Sequence, residues 1–265
     1  MGKLLKVQLK QNIKTLLLVW LIPLILASGF MILNRFIDNP ITEFGIGLSV
    51  FLMFIGVGIS QIIVIYKDYE RFFGKEAGFY ESLPISSSNI IWSRFFQYLI
   101  MIAILFLILV FDLFIIRLAD GYLSMNELKE GFEMTKYVFG KIPGKYVPGI
   151  IISFVIYVVF TIYEIIFSIN VGSIKSLKSM GFFGPIVIFI AVNVVRTLIF
   201  ILILINIEHI IGYDAYFLSR FSPQSPEEFF MVTKNFFIIV AFIQLVFSII
   251  FGFVSKHIQE KKLSI

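Results

Sequence analysis

Cysteine is absent from the 265-residue chain, so disulfides and thiolate metal sites are excluded within it. Histidine is nearly absent too: His209 and His257 stand far apart, no H-E-x-x-H occurs, and no metal site is expected. Charge is scarce, at 15% Asp, Glu, Lys and Arg, against about 25% in soluble domains. A phosphate-binding G-x-x-x-x-G-K-[ST] loop is missing. Gly74-Lys75, Gly140-Lys141 and Gly144-Lys145 lack both the upstream glycine and the hydroxyl residue that would follow. ATP hydrolysis by this chain alone is therefore not expected.

What fills the chain is apolar. Hydrophobic residues make up 59% and the mean hydropathy is +0.97. Runs of about 18 or more apolar residues mark membrane spans. Six occur, at Leu16 to Leu33, Phe44 to Tyr66, Phe95 to Ile116, Val147 to Val171, Gly184 to Ile205 and Phe236 to Val254. The runs are continuous and do not alternate with polar residues, which favours helices over barrel strands. The expected fold is all-α: one polytopic membrane domain of six helices over residues 1–265.

Basic residues at the span ends set the expected orientation. One side holds Lys3, Lys6, Lys10, Lys14, Lys67, Arg71, Lys75, Arg94, Lys175, Lys178, Lys256, Lys261 and Lys262. The other holds Arg35, Arg117, Lys129, Lys136, Lys141, Lys145, Arg220 and Lys234, and is offset by several acids. The first set is larger and closer to the spans, so both termini are expected in the cytoplasm of a plasma-membrane protein.

Residues 1–15 do not have the form of a cleavable signal. Lys3, Lys6, Lys10 and Lys14 fall on one side of a helix at about 100° per residue, with Leu5, Leu9, Ile13 and Leu16 adjoining. This pattern fits a helix lying in the inner interface, its lysines among lipid head groups. An ordinary basic flank of the first span is the alternative. N-myristoylation at Gly2 is disfavoured, because Val7 stands where that signal prefers Ser or Thr.

On the other face, Arg117 to Tyr146 reads as a connector with a short surface helix and a Pro- and Gly-containing turn. Asn206 to Lys234 keeps Ile210, Ile211, Tyr213, Tyr216, Phe217, Leu218 and Phe221 before SPQSPEE. It is too broken to span and too apolar to float, so an external re-entrant hairpin is expected.

Lys67 to Arg94 is a polar island between the second and third runs. Phe72, Phe73, Phe79, Tyr80, Leu83 and Ile85 give a short helix an aromatic face, and Lys75, Glu76 and Glu81 supply charge. Pro84 ends that helix and Ser86 to Ser88 can cap the next. A compact helix of this kind suits a groove on a soluble partner; a peripheral helix resting on the membrane is the alternative.

The basic N-terminal helix, the six spans and this island together resemble the bacterial ABC-2 type transporter permeases. The motif part is Glu76 through Leu83-Pro84-Ile85-Ser86, then Ile90 and Arg94, similar to that family's glutamate, "tLPvs" and basic residue opening span three. The resemblance implies that residues 67–94 form a coupling helix docking on a separate ATPase, through Glu76, Phe79, Tyr80, Glu81, Leu83 and Pro84. It also implies a second permease copy or similar permease as dimer partner, and ATP and Mg on the ATPase, with no cofactor on this chain. Glu81-Ser82 departs from the more apolar, threonine-containing pair common in the family.

Polar residues within the runs need partners or hydration. Asp112, Glu164, Asn193 and Arg196 are the candidates, either lining a substrate path or locking helices together. By depth along the spans, Arg196 is expected to pair with Asp112 in preference to Glu164. Gly45, Ser49, Gly56 and Ser60 recur on one side of the second span, where small residues allow close helix packing.

Enzyme readings are poorly supported. Glu227-Glu228 is similar to the paired glutamates of membrane CAAX-type proteases, but the arginine expected shortly after is missing and no later span holds a histidine. The expected function is the permease subunit of an ATP-driven exporter of hydrophobic or amphipathic cargo, with lipids and an ATPase as partners and no nucleic acid. The alternative is a non-transporting membrane immunity or sensor protein that binds a toxin or peptide.

Overall fold

The computed structural model describes residues 2–37, 39–119, 129, 133, 136, 137, 140, 142–206 and 226–263. Most of the expected external hairpin and much of the 117–146 connector lie outside these residues. Among the described residues the structure is helical, with no strand, and six helices are long and apolar enough to cross a membrane. Helices satisfy every backbone donor and acceptor internally, which is what an apolar segment of this length requires in lipid.

Two compact units divide the chain, Met1–Glu133 and Met134–Ile265. In the first, α1 (Gly2–Phe36) and α2 (Pro40–Phe72) form a hairpin. Asn39 caps α2, its side-chain oxygen accepting from Ile41 N at 3.1 Å, and Pro40 starts the helix where no amide hydrogen is needed. The short α3 (Ala77–Glu81) follows, then α4 (Ser87–Ala119), which packs mainly on α1. Ser86 Oγ accepts from Asn89 N at 3.4 Å and so caps α4, as the serine cluster suggested.

A separate interfacial helix does not occur as its own element, because Gly2–Phe36 is one helix. The four lysines Lys3, Lys6, Lys10 and Lys14 are exposed as expected, but the buried stripe is Leu4, Gln8, Asn12 and Leu16, not the Leu5, Leu9, Ile13 and Leu16 face. The cause is polar: Gln8 and Asn12 turn inward to serve hydrogen bonds from α2 and α4, and they carry the stripe with them.

The small residues of α2 face α1. Gly45, Ser49, Gly56 and Ser60 are all buried, and a Cβ at Gly45 would fall 2.5 Å from the Phe30 ring. Close packing of this kind replaces the hydrophobic driving force that lipid does not supply.

In the second unit, α5 (Val147–Gly172) packs against both α6 (Phe183–Ile205) and α7 (Pro226–Leu263). The α5 to α6 turn holds the chain's positive-φ glycine among the described residues, Gly181 at φ 56°. At its base the two backbones touch. A Cβ on Gly172 would lie 2.3 Å from Pro185 N, and one on Gly184 would lie 2.1 Å from Gly172 O.

Candidate functional site: the island and the intramembrane polar groups

The island folds back on the end of α2. Phe73 N and Gly74 N both donate to Tyr69 O, and Glu76 N donates to Glu70 O, so the chain reverses within a few residues. Gly74 is required at this reversal, since a Cβ there would sit 2.8 Å from Glu70 Cα. The turn then presents α3 with one aromatic residue buried and its neighbour exposed.

Tyr80 points inward. It is 5% exposed, its ring centroid 5.5 Å from that of Phe72. Burial raises the phenol above its ordinary value, with smaller opposing influences from Arg71, so it stays neutral. Phe79 is 64% exposed. Glu76, Glu81 and Pro84 are also exposed, and Leu83 is half-buried. Of the expected aromatic face of Phe72, Phe73, Phe79, Tyr80, Leu83 and Ile85, Phe72 and Tyr80 are instead buried: at the third helical position after Ala77, Tyr80 falls toward α2, where Phe72 covers it.

Behind Tyr80 lies a cluster that sequence reasoning missed. Arg94 on α4 pairs with Asp68 on α2, Nη2 to Oδ2 at 2.7 Å and Nε to Oδ2 at 2.8 Å, with both side chains fully buried. Tyr98 donates to the same Asp68 oxygen at 3.0 Å. The Arg94 guanidinium also lies 5.1 Å from the Phe72 ring centroid. Arg71 sits beside this pair and donates to Gln11 Oε1 at 3.0 Å, Asn12 Oδ1 at 2.7 Å and Gln97 Oε1 at 3.3 Å. Ser93 donates to Gln8 Oε1 at 2.6 Å. Arg71 and Arg94, read from sequence as basic flanks, are therefore interior groups joining α1, α2 and α4. The signal was present as helical spacing of polar residues on single faces: Gln8 with Asn12, Asp68 with Arg71, and Ser93 with Gln97.

Deeper in the same unit, Asp112 accepts from the indole Nε1 of Trp20 at 2.7 Å. In the other unit, Arg196 Nη1 lies 3.4 Å from Glu164 Oε2, while Asn193 donates to Glu164 Oε1 at 2.9 Å and accepts from Arg196. Within this unit the carboxylate beside Arg196 is Glu164, which depth counting ranks behind Asp112. The Gly172 and Gly184 contact sets the heights. Glu164 is eight residues before the first glycine and Arg196 twelve after the second, a difference of about 6 Å at ~1.5 Å per residue. The arginine side chain spans that distance easily.

The triad is asymmetric. Glu164 is 2% exposed by side chain whereas Arg196 is 32% exposed and lies 5.7 Å from the Phe160 ring centroid. Next to it is an apolar cavity of about 310 Å³ lined by Phe160, Phe167, Val192, Arg196, Phe247 and Phe251 among others. The arrangement offers a hydrophobic recess with one hydrogen-bonding cation at its edge.

Compared with models of known families, with curated proteins and with solved structures, the chain matches none.

Proposed function

We propose that the chain is the permease subunit of an ATP-driven exporter of the ABC-2 type, working with a separate ATPase and a second permease. Its cargo is hydrophobic or amphipathic. ATP and Mg belong to the ATPase, and the α3 island is cytoplasmic and docks there.

One observation carries the reading: Phe79 and Glu81 of α3 and Glu76 at its start are outside, while the neighbouring Tyr80 packs against Phe72, which in turn lies under Arg94 of the buried Asp68 pair. A partner gripping Phe79 would move α3, and through Tyr80 and Phe72 it would move α2 and α4 as one body. Packed interiors transmit displacement because they are not continuously deformable. The Arg196 recess is a place where an amphipathic cargo could rest with its polar end near the guanidinium.

Purification from native membranes in mild detergent tests the proposal. The expected result is a co-purifying ATPase whose ATP turnover rises when amphipathic peptides or lipids are added. A chain isolated without any ATPase, yet binding such a peptide, would instead fit the sensor or immunity role.

A further inference from the structure

We infer that the pocket between α1, α2 and the start of the island is a binding site for a zwitterionic phosphate ester, the phosphoethanolamine headgroup of a phospholipid in the adjoining leaflet. The pocket, about 420 Å³, is lined by Gln11, Lys14, Thr15, Lys67, Glu70, Arg71 and Glu76. Its lining is polar and charged. Its level is fixed by the sequence, because Thr15 stands where the first apolar run begins and Lys67 where the second ends. In a bilayer that is headgroup depth.

The charges carry the assignment. Lys14, Lys67 and Arg71 all line the pocket, and among the described residues none has a carboxylate within salt-bridge distance. Lys67 donates to Gln11 O at 3.0 Å and to Thr15 Oγ1, both neutral oxygens. Arg71 is 1% exposed, and its hydrogen bonds to Gln11, Asn12 and Gln97 also go to neutral amide oxygens. Lys14, Lys67 and Arg71 outnumber the two carboxylates of the lining and, among the described residues, none is held in an ion pair, so donors remain for an anion. The phosphate supplies it, bridging Lys14 and Lys67 with Arg71 behind them.

Glu70 and Glu76 line the same pocket and select among phosphates. With three cations and two carboxylates the lining carries both signs, and the carboxylates accept an ammonium. The headgroup that pairs with both sets of charges is phosphate and primary amine together, and one without the amine leaves the carboxylates outside the recognition.

The test is binding by the full-length purified chain in nanodiscs of phosphatidylcholine doped with phosphatidylethanolamine or phosphatidylglycerol, read by native mass spectrometry of retained lipid and by thermal unfolding. Phosphatidylethanolamine should be retained preferentially. Lys14→Gln, at an exposed position, should weaken that retention about tenfold, the loss of one charge-assisted hydrogen bond. Lys67→Gln should do the same, with Lys175→Gln unchanged. Glu76→Gln should shift the preference toward phosphatidylglycerol while the chain stays folded. Soluble phosphoethanolamine distinguishes the sources: stabilisation by the soluble compound at concentrations matching the lipid would assign the same site to a free ligand. Equal retention by wild type and Lys14→Gln, or a wild-type preference for phosphatidylglycerol, would overturn the inference.

Discussion

Arg94 and Asp68 form an ion pair without solvent contact, 2.7 Å from Nη2 to Oδ2, on two different helices at the point where the polar island joins the apolar bundle. Breaking one partner of such a pair leaves a buried charge uncompensated, which costs about 3–5 kcal/mol. Asp68→Asn and Arg94→Gln should each lower the thermal unfolding midpoint in detergent sharply. The double change should lose less than the sum of the two, a non-additivity of about 0.5–3 kcal/mol expected for contacting groups.

The two aromatic residues of α3 should separate cleanly. Tyr80→Ala empties a buried ring site against Phe72 and should destabilise by about 3 kcal/mol, the usual range for a large aromatic truncation. Phe79→Ala, at an exposed position, should leave the unfolding curve within about 0.5 kcal/mol of wild type. Side-by-side unfolding of the two variants decides this.

The intramembrane groups should couple as the structure pairs them. Glu164→Gln and Arg196→Gln should each reduce folded yield, and their combination should be less than additive. Trp20→Phe removes the donor to Asp112, so it should couple in the same way with Asp112→Asn. Strict additivity in either cycle would contradict the corresponding contact.

Glycine positions give a packing test. Gly172→Ala should destabilise by about 1–3 kcal/mol or more, since its Cβ meets backbone that cannot swing aside. Gly58→Ala has nothing within 4 Å and should be neutral or slightly stabilising, as alanine in an open helical position is favoured. Unfolding midpoints of the two variants check the contrast.

The six helices were legible because continuous apolar runs have only one comfortable answer in lipid, and the α2 stripe of Gly45, Ser49, Gly56 and Ser60 was legible as packing because helical period placed it on one face. The polar cluster was not. Arg71 and Arg94 resemble the ordinary basic flanks of spans, and only the three-dimensional meeting of α1, α2 and α4 turns them inward onto Asp68, Gln11, Asn12 and Gln97. Glu164 was ranked too low as a partner of Arg196 for a related reason. Depth counted from the ends of apolar runs ignores where two helices actually touch, and the Gly172 and Gly184 contact fixes Glu164 and Arg196 at reachable heights.

The central claim is that α3 couples these helices to an ATPase through Phe79. The most direct measurement is ATP turnover associated with the chain after purification from native membranes, comparing wild type with Phe79→Ala at equal folded yield. An exposed aromatic anchor in a packed interface is worth about 2 kcal/mol or more, so the account predicts at least about tenfold less associated turnover for Phe79→Ala, with an unchanged unfolding curve. Full ATPase retention and full turnover in Phe79→Ala would contradict it.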